Sequence, residues 1–147
     1  MRNARKCRVV MYPPHRLTFK PAGVSGNMLK EIALTVDEYE AIRLADYEEL
    51  EHEEAAAKMN ISRPTFTRLI KKARHNVAIF LIECRRLEIN GGNFHFKSDL
   101  VRCQDCGAYF YQDIHNRTTK CRECGSENII SLAEELGHGD CCRENNE

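Results

Sequence analysis

The stretch "EEAAAKMNISRPTFTRLIKK", Glu53 to Lys72, changes character halfway. It begins acidic and alanine-rich, breaks at Met59-Asn60-Ile61-Ser62, and then turns basic. Ser62 is a good N-cap, and Pro64 is tolerated in a first helical turn because its missing N–H would have no partner there. The first half predicts a helix from about His52 to Met59, and the second a helix from Ser62 to about Arg74, with the apolar run after it able to extend it. Asn60 stands where a tight helical connection needs a left-handed residue, a conformation that asparagine tolerates better than most. Ala55 and Ala56 leave room for two helices to approach closely. Two helices joined by such a turn, the second of them basic, form the helix-turn-helix pattern.

At 100° per residue, Phe66, Leu69, Ile70, Ala73 and Val77 share a narrow arc, the predicted core face. The opposite arc holds Pro64, Arg68, Lys71 and His75, flanked by Thr65, Thr67 and Lys72. A helix with that outward face can lie in a DNA major groove: threonines meet base edges, Arg68 bonds guanine, and Lys71 and Lys72 neutralise phosphates. The candidate DNA-contact residues are therefore Arg63, Thr65, Thr67, Arg68, Lys71, Lys72 and His75. The alternative is an ordinary helical hairpin with a solvated basic face.

Upstream, Thr35 and Glu38 form a capping box that opens another helix over "LTVDEYEAIRLADYEEL". Residues 1–34 contain three of the four prolines and read as a basic, irregular arm with one short strand near Arg8–Met11. The formal net charge of zero hides segregation. Residues 1–30 carry seven bases and no acids, residues 31–60 ten acids and two bases, and residues 61–90 seven bases and two acids. Two basic blocks flanking an acidic one suit a polyanionic partner. No apolar run approaches the ~18 residues of a membrane span. No apolar segment or cleavage site follows the basic N-terminus, so a cytoplasmic protein is expected.

The motifs "KCRVV", "FKPAG", "LTVDEYEAIRLADYE", "EEAA", "SRPTF" and "GGN" span about residues 5 to 93. In these the chain resembles an uncharacterised family of small prokaryotic proteins predicted to bind DNA. "EEAAAKMNI" followed by "SRPTFTRLIKKA" is similar to the sigma-factor domain that binds the upstream promoter element. The resemblance implies a sigma-like (region-four-like) helix-turn-helix and transcriptional regulation. Pro64 departs from the family, whose other members carry a polar residue there, so one potential DNA contact is missing. Asn60 stands in place of the commoner glycine.

Eight cysteines in a cytosolic chain argue against a disulfide scaffold. Cys103-x2-Cys106 and Cys121-x2-Cys124 are separated by fourteen residues, and glycine follows each pair (Gly107, Gly125). That pattern resembles a zinc ribbon, with "AYFY", "RTTK" and "NII" as short strands. Four thiolates close the coordination sphere, so one structural Zn²⁺ is the expected cofactor, with iron or a redox dithiol as alternatives. Cys84 reads as buried packing and His115 as a surface residue. Cys7, in the basic arm, has no assigned role, and His138, Cys141 and Cys142 read as a tail that ligates a second metal or senses redox state, or as a disordered tail with incidental thiols.

The expected architecture is mainly α: an N-terminal arm over 1–34, a helix-turn-helix domain over 35–90, a linker over 91–102, a ribbon over 103–131 and a tail over 132–147. Gly91-Gly92 reads as the hinge, with residues 1–93 folding without the ribbon. No phosphate loop, nucleophile elbow or open metal position is present in the sequence, so no enzymatic activity is expected. A single helix-turn-helix reads few base pairs, so the expected partners are double-stranded DNA and a second copy of the chain. The rival readings are an adaptor docking on RNA polymerase and an iron-based redox sensor.

Overall fold

The computed structural model describes residues 8–137. Strand β1 (Arg8–Val10) is followed by β2 (Thr18–Phe19), a single 3-10 turn (Gly26–Met28) and β3 (Glu31–Leu34). Helix α1 (Val36–Ile42) runs directly into a π-helical turn (Arg43–Tyr47), and α2 (His52–Met59) and α3 (Arg63–Glu83) follow. The chain then alternates through β4 (Arg86–Ile89), β5 (Phe94–Phe96), β6 (Ser98–Cys103), β7 (Tyr109–Asp113), β8 (Ile129–Ser131) and the short α4 (Leu132–Glu135).

The expectation of a mainly α chain is overturned. Helix accounts for 37% and strand for 24%, distributed over several sheets. β3 and β4 pair in parallel, Glu31 opposite Arg86 and Leu34 opposite Ile89, with β2 antiparallel on the far edge of β4. The three helices thus form the crossover between two parallel strands. β1 and β5 also pair in parallel, Arg8 opposite Phe94. Strands of two to four residues are too short to show alternation in sequence, and their partners lie on the other side of the helices.

Two apolar clusters hold the chain together. Ala41, Leu44, Ala55, Ala56, Met59, Phe66, Leu69 and Ile70 join α1, the π turn, α2 and the first half of α3. The second cluster takes Val10, Leu34, Val36, Ala73, Leu87, Ile89, Phe94 and Phe96 together with Ile114 and Ala133 from the C-terminal module. The segment expected to be a linker, 91–102, supplies β5 and most of β6, and Leu100 and Val101 are buried. The cysteine module therefore shares a core with the helical unit, and the boundary near residue 92 is corrected.

α1 is acidic without facing solvent. Its capping box is present, Glu38 N donating to Thr35 Oγ1 at 3.3 Å and Thr35 N to Glu38 Oε1 at 3.3 Å. Yet Asp37, Glu38 and Glu40 are buried. Each is held by polar partners: Asp37 by Arg8, Glu38 by the Asn76 amide, and Glu40 by the Met11 N–H and the Arg43 guanidinium. Burial raises the pKa of Glu40 against the opposing pull of Arg43. No helix among the described residues is long and apolar enough to cross a membrane.

Candidate metal centre and nucleic-acid interface

The connection between α2 and α3 is built as its residues dictate. Asn60 adopts φ 57°, ψ 43°. Its N–H reaches Ala57 O at 3.2 Å and that of Ile61 reaches Ala56 O at 3.0 Å, the paired bonds that close a helix through a left-handed residue. Ser62 then caps α3, accepting from Thr65 N at 3.3 Å. Phe66, Leu69, Ile70 and Ala73 face inward, while Arg63, Thr67, Arg68, Lys71, Lys72 and His75 are exposed and Thr65 is half-buried.

The candidate DNA contacts do not all converge. Thr65, Arg68 and Lys72 line one cleft of about 480 Å³ beside Arg8, Asp37 and Gly92. A neighbouring cleft of about 900 Å³ runs past Arg8, Asn60, Ser62, Thr65 and Asn93. Arg63 lies apart, in a cleft with Glu51, His52 and Glu53 at the acidic start of α2. Both threonine hydroxyls already have protein partners. Thr67 Oγ1 lies 3.0 Å from His52 Nδ1, and Thr65 Oγ1 accepts from Ser62 Oγ at 2.8 Å and from Arg68 Nη2 at 3.5 Å.

Further along the chain, β6 ends on Cys103 and the chain turns through Cys106 and Gly107, whose φ is 75°. Cys121, Cys124 and Gly125 (φ 73°) repeat the turn. Gly107 N donates to Cys103 O and Gly125 N to Cys121 O, each at 3.0 Å. Backbone N–H groups also point at sulfur: Cys106 N to Cys103 Sγ at 3.5 Å and Glu123 N to Cys121 Sγ at 3.4 Å. Asp105 ties the two turns together by accepting from Ser126 Oγ and from Asn128 Nδ2.

All four sulfurs lie within 4.8 Å of one another, with Cys103–Cys124 and Cys106–Cys121 at 3.6 Å. Tetrahedral thiolates at about 2.3 Å from a zinc ion stand about 3.8 Å apart, so the donor set fits a four-coordinate metal. The Cys124 amide chiefly, opposed by desolvation, lowers the Cys121 thiol to about 7. The Ala108 amide pulls Cys106 down, but desolvation and the other three thiols push it up to about 12. Four thiols this close cannot all ionise without a cation among them. The cluster could hold a metal ion.

The family described as "Protein of unknown function DUF134" matches residues 1–97. The chain belongs to that family. A UPF0251 protein of Chloroherpeton thalassium is 50% identical over 125 residues, 85% of this chain and 83% of the relative. One from Moorella thermoacetica is 40% identical over 137 residues, 93% of this chain and 90% of its own. A third, from Clostridium novyi, is 33% identical over the whole of both chains. The family match ends just beyond β5, whereas the Clostridium novyi alignment runs the full length of this chain.

Within the family region, sequence reasoning missed Arg8. β1 delivers it beside the first turn of α3, where Arg8 Nη1 bonds Asp37 Oδ2 at 2.6 Å. The signal was an arginine in a strand paired with Phe94–Phe96, just after the "GGN" segment, which only the fold brings together. Cys84 is exposed rather than buried, because it ends α3 in the left-handed conformation at φ 52°. "RTTK" is not a strand: Thr118 N and Oγ1 bond Gln112 Oε1 at 2.9 and 3.1 Å instead. Gln112 in turn donates to Asp99, a buried carboxylate that also accepts from Leu100 N, Ser131 Oγ and Ala133 N. Asp99 thereby fastens β7, β8 and α4 to β6. His115 is exposed. Cys7, His138, Cys141 and Cys142 lie outside the described residues.

Proposed function

We propose that the protein is a cytoplasmic transcriptional regulator that binds double-stranded DNA through the first half of α3. The carrying observation is the exposed face of Arg68, Lys71, Lys72 and His75 opposite the buried Phe66, Leu69, Ile70 and Ala73. The left-handed Asn60 turn and the Ser62 cap support the same reading by fixing α3 to α2 at its exposed end. Arg8 adds a cation beside this face, held in place by Asp37. Lys71 and Lys72 serve the phosphates and Arg68 a base edge, while the threonines support Arg68 and the turn. A homodimer on a two-fold site is part of the proposal. Leu81 and Ile82, 64% and 82% exposed near the end of α3, offer an apolar contact for it.

The four cysteines hold one structural zinc ion in this reading, with the all-sulfur, closed donor set as its support. Metal analysis of the purified chain distinguishes zinc from iron. The DNA role is tested with Arg68→Ala on a duplex selected from random sequence. An Arg68–guanine bond predicts a loss of about 1–3 kcal/mol on the selected duplex and relaxed preference at one base position. Unchanged discrimination between selected and random duplexes contradicts that role for Arg68.

A further inference from the structure

Away from the α3 face, a cleft of about 410 Å³ opens where the segment after β1, the π turn and β7 meet. Tyr12, Tyr39, Tyr47 and Tyr111 line it, four of the chain's five tyrosines. Such concentration from three separate segments is not the product of a single amphipathic stripe. The volume falls in the range of roughly 300–1,000 Å³ typical of small-molecule sites. Tyr12 and Tyr111 already form an aromatic wall, with ring centroids 4.4 Å apart and planes tilted by 40°. Tyr47 is 82% exposed, so core packing does not account for it. It comes from the π-helical turn, an irregularity found frequently at functional sites.

The polar groups of the cleft narrow the ligand further. Arg43 and His15 line it, and no Asp or Glu does so among the described residues. Arg43 spends Nε on Glu40 and Nη1 on Glu48, at 2.6 Å for the latter. Its Nη2 makes no hydrogen bond among the described residues. Burial, and next the Glu40 charge, raise the Tyr39 pKa, which keeps that phenol a donor. The cleft is thus walled by aromatic rings and rich in donors. An ammonium, which only donates, would find no lining carboxylate to accept from it, whereas a carboxylate meets Nη2 and phenolic O–H groups.

We propose that this cleft binds a planar aromatic carboxylate, its ring against the tyrosines and its carboxylate on the Arg43 guanidinium. The site stands independently of whether α3 binds DNA. A ligand there touches the helical unit through Tyr39, Arg43 and Tyr47 and the cysteine module through Tyr111, and so bridges the two.

The test follows the aromatic ring resonances of His15 and the tyrosines in the full-length protein while benzoate, 4-hydroxybenzoate, acetate and benzylamine are each added. The two aromatic carboxylates are expected to give saturable shifts, with acetate and benzylamine weaker by about tenfold or more. Tyr47→Ala removes an exposed ring and is expected to leave the melting temperature unchanged while weakening benzoate by about tenfold. Should Tyr47→Ala lower the melting temperature, Tyr111→Phe, which keeps the ring, serves as a second variant and is expected to retain benzoate binding. Absence of a saturable shift with either aromatic carboxylate at millimolar concentration overturns the proposal. Equal binding of benzoate and benzylamine, or of benzoate by wild type and Tyr47→Ala, also overturns it.

Discussion

Chelating the metal we propose at Cys103, Cys106, Cys121 and Cys124 is expected to lower the melting temperature of the whole chain, helices included. Structural zinc in small modules contributes on the order of 10–16 kcal/mol of apparent binding free energy, which becomes folding free energy when the site does not form without it. In a chain of two independent modules that loss would stay in the ribbon. Here Ile114 and Ala133 pack in one cluster with Val10, Leu34, Phe94 and Phe96, and β6 runs from that core directly to Cys103. Loosening the cysteine end of β6 therefore loosens the layer beneath α3. Thermal melts followed by helical circular dichroism, with and without chelator, check this. A single transition displaced to lower temperature is expected, and an unchanged helical melt contradicts the shared core.

Gly92→Ala is expected to destabilise the protein by about 2–5 kcal/mol, more than Gly91→Ala, which should cost about 1 kcal/mol. Both glycines have positive φ, 69° at Gly91 and 93° at Gly92. They differ in their surroundings. A Cβ at Gly91 meets nothing within 4 Å, whereas one at Gly92 would stand 2.3 Å from Asp37 Oδ1 and 2.8 Å from Thr35 Cβ. The loop is pressed onto the start of α1, where the Gly91 carbonyl accepts from Val36 N at 3.1 Å. Relief of the clash requires Asp37 to move, and Asp37 holds Arg8. Denaturant unfolding of the two variants measures the difference. Equal stabilities would show that the close approach at Gly92 is not a constraint.

The start of α1 and the α2–α3 turn were legible because their signals are local. The Thr35–Glu38 box, the Asn60 turn, the Ser62 cap and the 3.6-residue spacing from Phe66 to Ala73 each act within a few residues. The cysteine turns were legible for the same reason, since two Cys-x-x-Cys-Gly units carry their own geometry. What escaped depends on distant pairing. β1 finds β5, and β3 finds β4, across the entire helical unit, and no short-range pattern announces them. "RLEI", Arg86–Ile89, continues an apolar helical run in sequence, yet Cys84 breaks the helix in a left-handed conformation and the next residues join a sheet. The burial of Asp37, Glu38 and Glu40 was not legible because their partners, Arg8, Met11 N, Arg43 and Asn76, lie mostly on other elements. "GGN" read as a hinge because glycine pairs mark flexible connections as readily as close packing.

The most direct test of the DNA-binding proposal is the affinity for a selected duplex measured across a range of salt concentrations. Arg8, Arg68, Lys71 and Lys72 engaging phosphates or bases predict a logarithmic affinity that falls linearly with the logarithm of salt, with a slope of about −2 to −4 per protomer. They also predict a preference for the selected over a random duplex at every salt. An affinity that does not respond to salt, or no preference for the selected duplex at any salt, would contradict DNA recognition by α3.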